Sequence, residues 1–148
     1  MKGDFTRDTF DPTKHYQQVL MQQGRAQLDA DWNEQAALGE RRDETTTADI
    51  VGKCGGPAER AAFGVTTDGS LTAGDFFLSA GHYYVDGILC ENESAIAYTA
   101  QPDRVNVEAL ATDNSYLLYL DVWQRLLTAL EDGEIREPAL GGPDTAHA

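Results

Sequence analysis

The chain has 148 residues, 41% hydrophobic and 24% charged, the balance of a globular domain rather than of a disordered or membrane-spanning chain. Its 25 acidic against 11 basic side chains give a net charge of −14. That field repels a phosphate backbone, so nucleic acid is not an expected partner. No apolar run approaches the roughly 20 residues a membrane helix requires, and Met1–Thr6 has no apolar signal core. Neither membrane insertion nor secretion is therefore expected, and the cytoplasm is the expected compartment.

Residues 1–14 are polar and turn-rich, with Phe5 and Phe10 as their large apolar groups. These must dock, either on a neighbouring subunit or on the chain's own domain. His15–Met21 reads as a short strand or one to two helical turns, broken by Gln22-Gln23-Gly24. Leu28, Trp32 and Ala36 then recur at helical spacing, and no proline interrupts Leu28–Ile50. The pattern predicts a helix over Asp29–Val51, with Asp29 as N-cap, Asp31 in the first turn and Gly52 as the stop. Its second half, Gly39–Asp49, is almost wholly polar and is expected to face solvent or another chain. The predicted division follows the helix: residues 1–52 form an anchoring or oligomerisation segment and residues 53–148 a β-rich domain with an irregular C-terminal tail.

Lys53–Arg60, with Gly55-Gly56-Pro57, reads as a loop. Beyond it, Phe63–Thr67, Phe76–Ser79, Tyr83–Val85, Ile88–Cys90 and Ala95–Tyr98 are strand candidates. Asp68-Gly69, Gly74-Asp75, Gly81 and Asp86-Gly87 are the turns between them. Asp86-Gly87 between two apolar triplets is a two-residue hairpin signal, because the favoured turn needs positive φ. Gln101–Asn114 is polar and loose. Tyr116–Trp123 is the strongest strand pattern, apolar on both faces, and is expected to be central or sandwiched. Leu126–Leu130 is a candidate for the next strand. The predicted fold class is α+β: an N-terminal arm and helix followed by a small antiparallel β-rich domain.

Little chemistry is encoded. Cys54 and Cys90 lack metal-site spacing and are expected to be free, mostly buried thiols, with a long-loop disulfide as the other possibility. Asp29–Glu40 resembles the outline of a calcium loop, but its sixth position is Glu34, where the sharp turn needs glycine. His82 with Asp86, Glu91 and Glu93 nearby would be the hydrolase candidate; carboxylates beside a glycine turn are far more often turn residues. Neither glycine-rich stretch has P-loop spacing. No enzyme, metal or cofactor is expected. The side chains most suited to a protein interface are Phe5, Phe10, Tyr16, Arg25, Leu28 and Trp32, since a helix with one thin apolar stripe must cover it with something.

The residues already named carry a resemblance. Met1–Asp11, His15-Tyr16, Val19–Arg25 and Gln27–Gln35, with Gly81–Gly87, Tyr119–Trp123 and the Ala139–Thr145 stretch, resemble an uncharacterised bacterial family. Its members accompany phage-tail-like contractile injection systems. The Gly-Arg step before an acidic helix is similar to the N-termini of phage tail-fibre and baseplate-appendage proteins. The resemblance implies a structural anchor or adaptor, with partners among the baseplate and tail proteins of such a particle. It carries no catalytic residues. We expect a homo-oligomer, trimer or hexamer, assembled into the particle in the cytoplasm. Members of the family continue past the Gly141-Gly142-Pro143 motif, which points to an anchor-only version or a short form with another role. The other reading is a carbohydrate- or cargo-binding β module associated with such a particle.

Overall fold

The computed structural model describes residues 5–102, 104, 106–136 and 139. It has one long helix, α1 (Asp29–Val51), and six short strands: β1 (Cys54–Gly55), β2 (Val65–Thr66), β3 (Phe77–Leu78), β4 (Gly81–Val85), β5 (Ile88–Asn92) and β6 (Ile96–Ala97). The strands form two three-stranded antiparallel sheets, ordered β1-β4-β5 and β2-β3-β6. This is the α+β class that the sequence predicts. No helix of the described residues is long and apolar enough to cross a membrane.

The helix occupies the predicted span, but its N-terminus differs from the expectation. Leu28 is the N-cap and Asp29 the first helical residue. Asp31 reaches back to accept the Leu28 N–H at 3.2 Å, while the Asp29 carboxylate is taken by Thr6. At the other end Gly52 donates to the Ala48 carbonyl at 2.8 Å and turns away at φ 90°. The polar second half is covered in part by the chain's own hairpin. A Cβ on Gly87 would lie 2.2 Å from the Glu44 carbonyl oxygen, so the hairpin turn rests directly on the helix backbone.

The hairpin β4–β5 runs in the register His82↔Glu91, Tyr83↔Cys90 and Tyr84↔Leu89. Asp86 and Gly87 have φ of 49° and 90°, two left-handed residues in succession, as the tight right-twisted hairpin turn requires. On its other side β4 pairs with β1, a two-residue strand inside the stretch read as loop. The chain then runs beside both sheets: His82 donates to the Arg60 carbonyl, and Phe63 and Ser79 link residues 63–64 to the end of β3. Cys54 and Cys90 lie in the strands on either side of β4. Two strand spacings, roughly 9–10 Å, exceed disulfide reach. Both thiols are free, with Cys90 half-buried and Cys54 exposed rather than buried as expected; burial raises the Cys90 thiol pKa above its ordinary value.

The core is small. Ala30, Ala62, Phe76 and Ala129 are the buried apolar side chains among the described residues. Phe76 stacks on Tyr98 at 4.8 Å. Beside it Asp75 binds the Thr99 hydroxyl at 2.7 Å and the Phe76 N–H at 2.9 Å, tying β3 to the turn after β6. Burial pushes the Asp75 carboxyl up, but these bonds outweigh it and hold the group below the usual carboxylate value.

Three expectations fail here. His15–Met21 is neither strand nor helix: a 3-10 turn at Pro12–Lys14, capped by Asp11, precedes an extended run. Tyr116–Trp123 joins neither sheet, and Leu126–Leu130 ends in a turn. Alternating apolar residues favour extension locally, but a strand is defined by a ladder, and the described residues supply none. The C-terminal motif Leu140–Thr145 and residues 1–4 of the opening motif lie outside the described residues.

Candidate interaction surface on the arm and helix

Residues 5–28 form a strap that goes out along α1 and comes back. Thr6 donates its N–H and hydroxyl to the Asp29 carboxylate at the start of the helix. Thr9 donates to Glu34, one turn further along. The chain then reverses through the Pro12–Lys14 turn, and His15 takes a left-handed φ of 54°. On the way back Val19 donates its N–H to the Gln35 side chain at 2.8 Å. A tight turn at Gln22–Arg25, with Gly24 at φ 73°, delivers the chain to Leu28. Polar bonds, not apolar burial, thus fix the strap to the helix. The hydrogen bonds from Thr6 hold the Asp29 carboxyl below its ordinary value.

This leaves apolar groups facing outward in two places. Phe5, Leu28 and Trp32 gather at the N-terminal end of α1, exposed by 39%, 46% and 66%. Leu28 is the N-cap and Trp32 lies one turn into the helix, its N–H on the Leu28 carbonyl at 3.3 Å. Leu20 and Met21, on the returning limb, are 75% and 51% exposed. Arg25 is exposed in the turn beside them. The second place is an open recess between the strap's bend and the helix, lined by Phe10, His15, Tyr16, Leu38, Arg41 and Arg42. Phe10 is half-buried there, whereas Tyr16 remains 56% exposed, with the Lys14 ammonium 5.8 Å above its ring. Arg42 meets Asp43 at 3.8 Å with both side chains exposed, a contact too loose to neutralise it. Arg41 and Arg42 line the recess together with the Asp11 carboxylate, so it carries charges of both signs.

The six residues singled out in the sequence therefore fall into two groups. Phe5, Arg25, Leu28 and Trp32 belong to the helix's N-terminal end, and Phe10 and Tyr16 to the recess. Leu20 and Met21 were not singled out. Their signal was the Val19-Leu20-Met21 triplet just before a glycine turn, which has no helical period to place it on a face.

The match to one protein-family model runs over residues 1–148. The chain belongs to the DUF6519 family, a family of unknown function. No curated protein and no solved structure matches it.

The hydrolase candidate of this DUF6519 chain is only partly assembled. His82 and Glu91 are cross-strand partners, with Nε2 and Oε1 3.2 Å apart. They line a shallow recess with Arg60 and Glu93. Their side chains are 46% and 54% exposed, so water reaches both and weakens any field between them. Asp86 sits at the far end of the hairpin, its N–H on the Lys53 carbonyl. Among the described residues no group of three His, Cys, Asp or Glu side chains is placed to hold a metal. Asp29 and Asp31 lie in the first turn of a continuous helix.

Proposed function

We propose that this DUF6519 chain is a non-enzymatic structural component of a phage-tail-like contractile injection system, a baseplate- or tail-associated anchor or adaptor that works as a homo-oligomer. The resemblance of its opening motif supplies the particle. The observation that carries the structural role is the exposure of Leu28 and Trp32 at the start of the helix, beside a strap that is itself fastened by hydrogen bonds. A surface of this kind fits a partner chain, because aromatic and leucine anchors gain most when water is excluded from both sides. The acidic remainder of the chain favours a partner with basic patches, or a symmetric arrangement that turns the acidic faces outward.

The test is incorporation. Purified particles are examined for the chain carrying Trp32→Glu together with Leu28→Glu. Because both side chains are exposed, the variant is expected to fold with unchanged circular dichroism and to be lost from particles at least tenfold. Wild-type incorporation of the folded variant would overturn the anchor role.

One observation favours a second reading, a carbohydrate- or cargo-binding module: Tyr116, Tyr119 and Trp123 are exposed on the β-rich part. A sugar platform, however, needs aromatics on one face only. Here leucines alternate with them and expose the other face as well.

A further inference from the structure

The largest unsatisfied feature of the molecule is the segment that reads most strongly as a strand. Tyr116, Leu117, Leu118, Tyr119, Leu120 and Trp123 are exposed by 47%, 87%, 45%, 82%, 37% and 57%. In a strand, odd-numbered side chains would point to one face and even-numbered ones to the other, so both faces of this segment would be apolar. Among the described residues no backbone hydrogen bond engages residues 116–124. The segment is nevertheless held at its ends: the Tyr116 hydroxyl accepts from the Ala111 N–H at 3.0 Å, and Gln124 donates to Glu40 on α1 at 3.3 Å. Arg125, just beyond, is committed to Glu131 at 2.6 Å. Between these tethers the chain presents an unpaired stretch whose sequence has the alternation of a strand.

We propose that residues 116–124 pair antiparallel with the same segment of a second copy of this chain, about a two-fold axis at Leu120. Three observations select this occupant. First, area: the six side chains leave on the order of 700 Å² exposed per chain, taking roughly 200 Å² for each fully exposed large residue. A patch of this size is unusual on a monomer, and pairing along the segment covers the flanks where cross-strand side chains meet. Second, charge: Ser115–Leu130 holds one acid and one base in a chain of net charge −14. Two copies repel each other least along this stretch. Third, register: centring on Leu120 sets Leu117 opposite Trp123, Leu118 opposite Val122 and Asp121 opposite Tyr119. Apolar groups then meet at the centre on both faces and each Asp121 carboxylate lies opposite the Tyr119 ring and hydroxyl, whereas centring on Asp121 would set two carboxylates face to face. The pairing also supplies the backbone ladder that an extended segment lacks by itself.

The inference deepens the homo-oligomer part of the proposed function; a hexamer would contain three such pairs, whereas a lone trimer would leave one segment unpaired. Its test uses the purified chain, so it can fail while incorporation into particles succeeds, and the reverse. Sedimentation and amide hydrogen exchange are measured together from 1 to 100 μM. The expected result is a dimer or a multiple of it, with the 117–123 amides protected by roughly tenfold or more in a concentration-dependent way. Leu117→Lys and Tyr119→Lys, at positions exposed in the single chain, should leave its circular dichroism unchanged and weaken self-association by about 100-fold or more. Three outcomes would overturn the proposal: a monomer with fast exchange throughout; protection in a monomer, which means that the chain covers the segment itself; or an oligomer whose 117–123 amides stay unprotected.

Discussion

At Gly87 two separate requirements meet in one residue. Its φ of 90° completes the hairpin turn begun by Asp86. Its missing Cβ admits the Glu44 backbone, which a side chain would strike at 2.2 Å. The Asp-Gly dipeptide announces the first requirement in the sequence; the second becomes visible only with the helix in place. Gly87→Ala is therefore expected to destabilise by about 2–4 kcal/mol, from strain and steric displacement together. Gly69→Ala, where a Cβ meets nothing within 4 Å, should change stability by less than about 1 kcal/mol. Paired urea denaturation of the two variants decides the point. Equal stabilities would mean that the hairpin does not rest on the helix.

Asp29 carries the other residue-scale prediction. Its hydrogen bonds from Thr6 hold the carboxyl below the ordinary value. A lowered folded value means that these bonds contribute fully above the unfolded pKa, near ~3.9. Their contribution fades as pH falls through the folded value. Asp29→Asn lacks this titration. The melting-temperature gap between wild type and variant should thus be widest near pH 7 and close toward pH 3. A gap independent of pH would show that Asp29 does not fasten the strap.

Among the elements, α1 and the β4–β5 hairpin were legible because each is specified by neighbours in sequence. For α1, apolar spacing, an uninterrupted run and Gly52 suffice; for the hairpin, a turn dipeptide between apolar triplets does. The helix's cap was not legible. Asp29 and Asp31 are both acceptable there, and the strap's Thr6 decides between them by taking Asp29. Strand β1 was hidden because two residues in a glycine-rich stretch carry no period, and only the edge of β4 makes them a strand. Tyr116–Trp123 shows the converse: the period is clear and the partner is missing from the described residues. The sequence specifies extension, and a second strand has to specify the sheet. The interface residues were legible as apolar groups in a polar context, but their separation into a helix-end cluster and a recess depends on the strap's reversal at Pro12–Lys14.

For the whole molecule the governing fact is its surface. The described core holds Phe76 as its one buried large side chain. The helix-end cluster and the 116–124 segment account for much of the outward-facing apolar area. Both are the kind of surface that association removes from water. The −14 net charge opposes association in proportion to how poorly salt screens it, so assembly should strengthen with ionic strength.

Sedimentation velocity on the purified chain from 1 to 100 μM measures directly whether one copy is sufficient to itself. The account predicts species at multiples of 16.1 kDa, increasingly populated with concentration and salt. A single species at the mass of one chain across that whole range would contradict it.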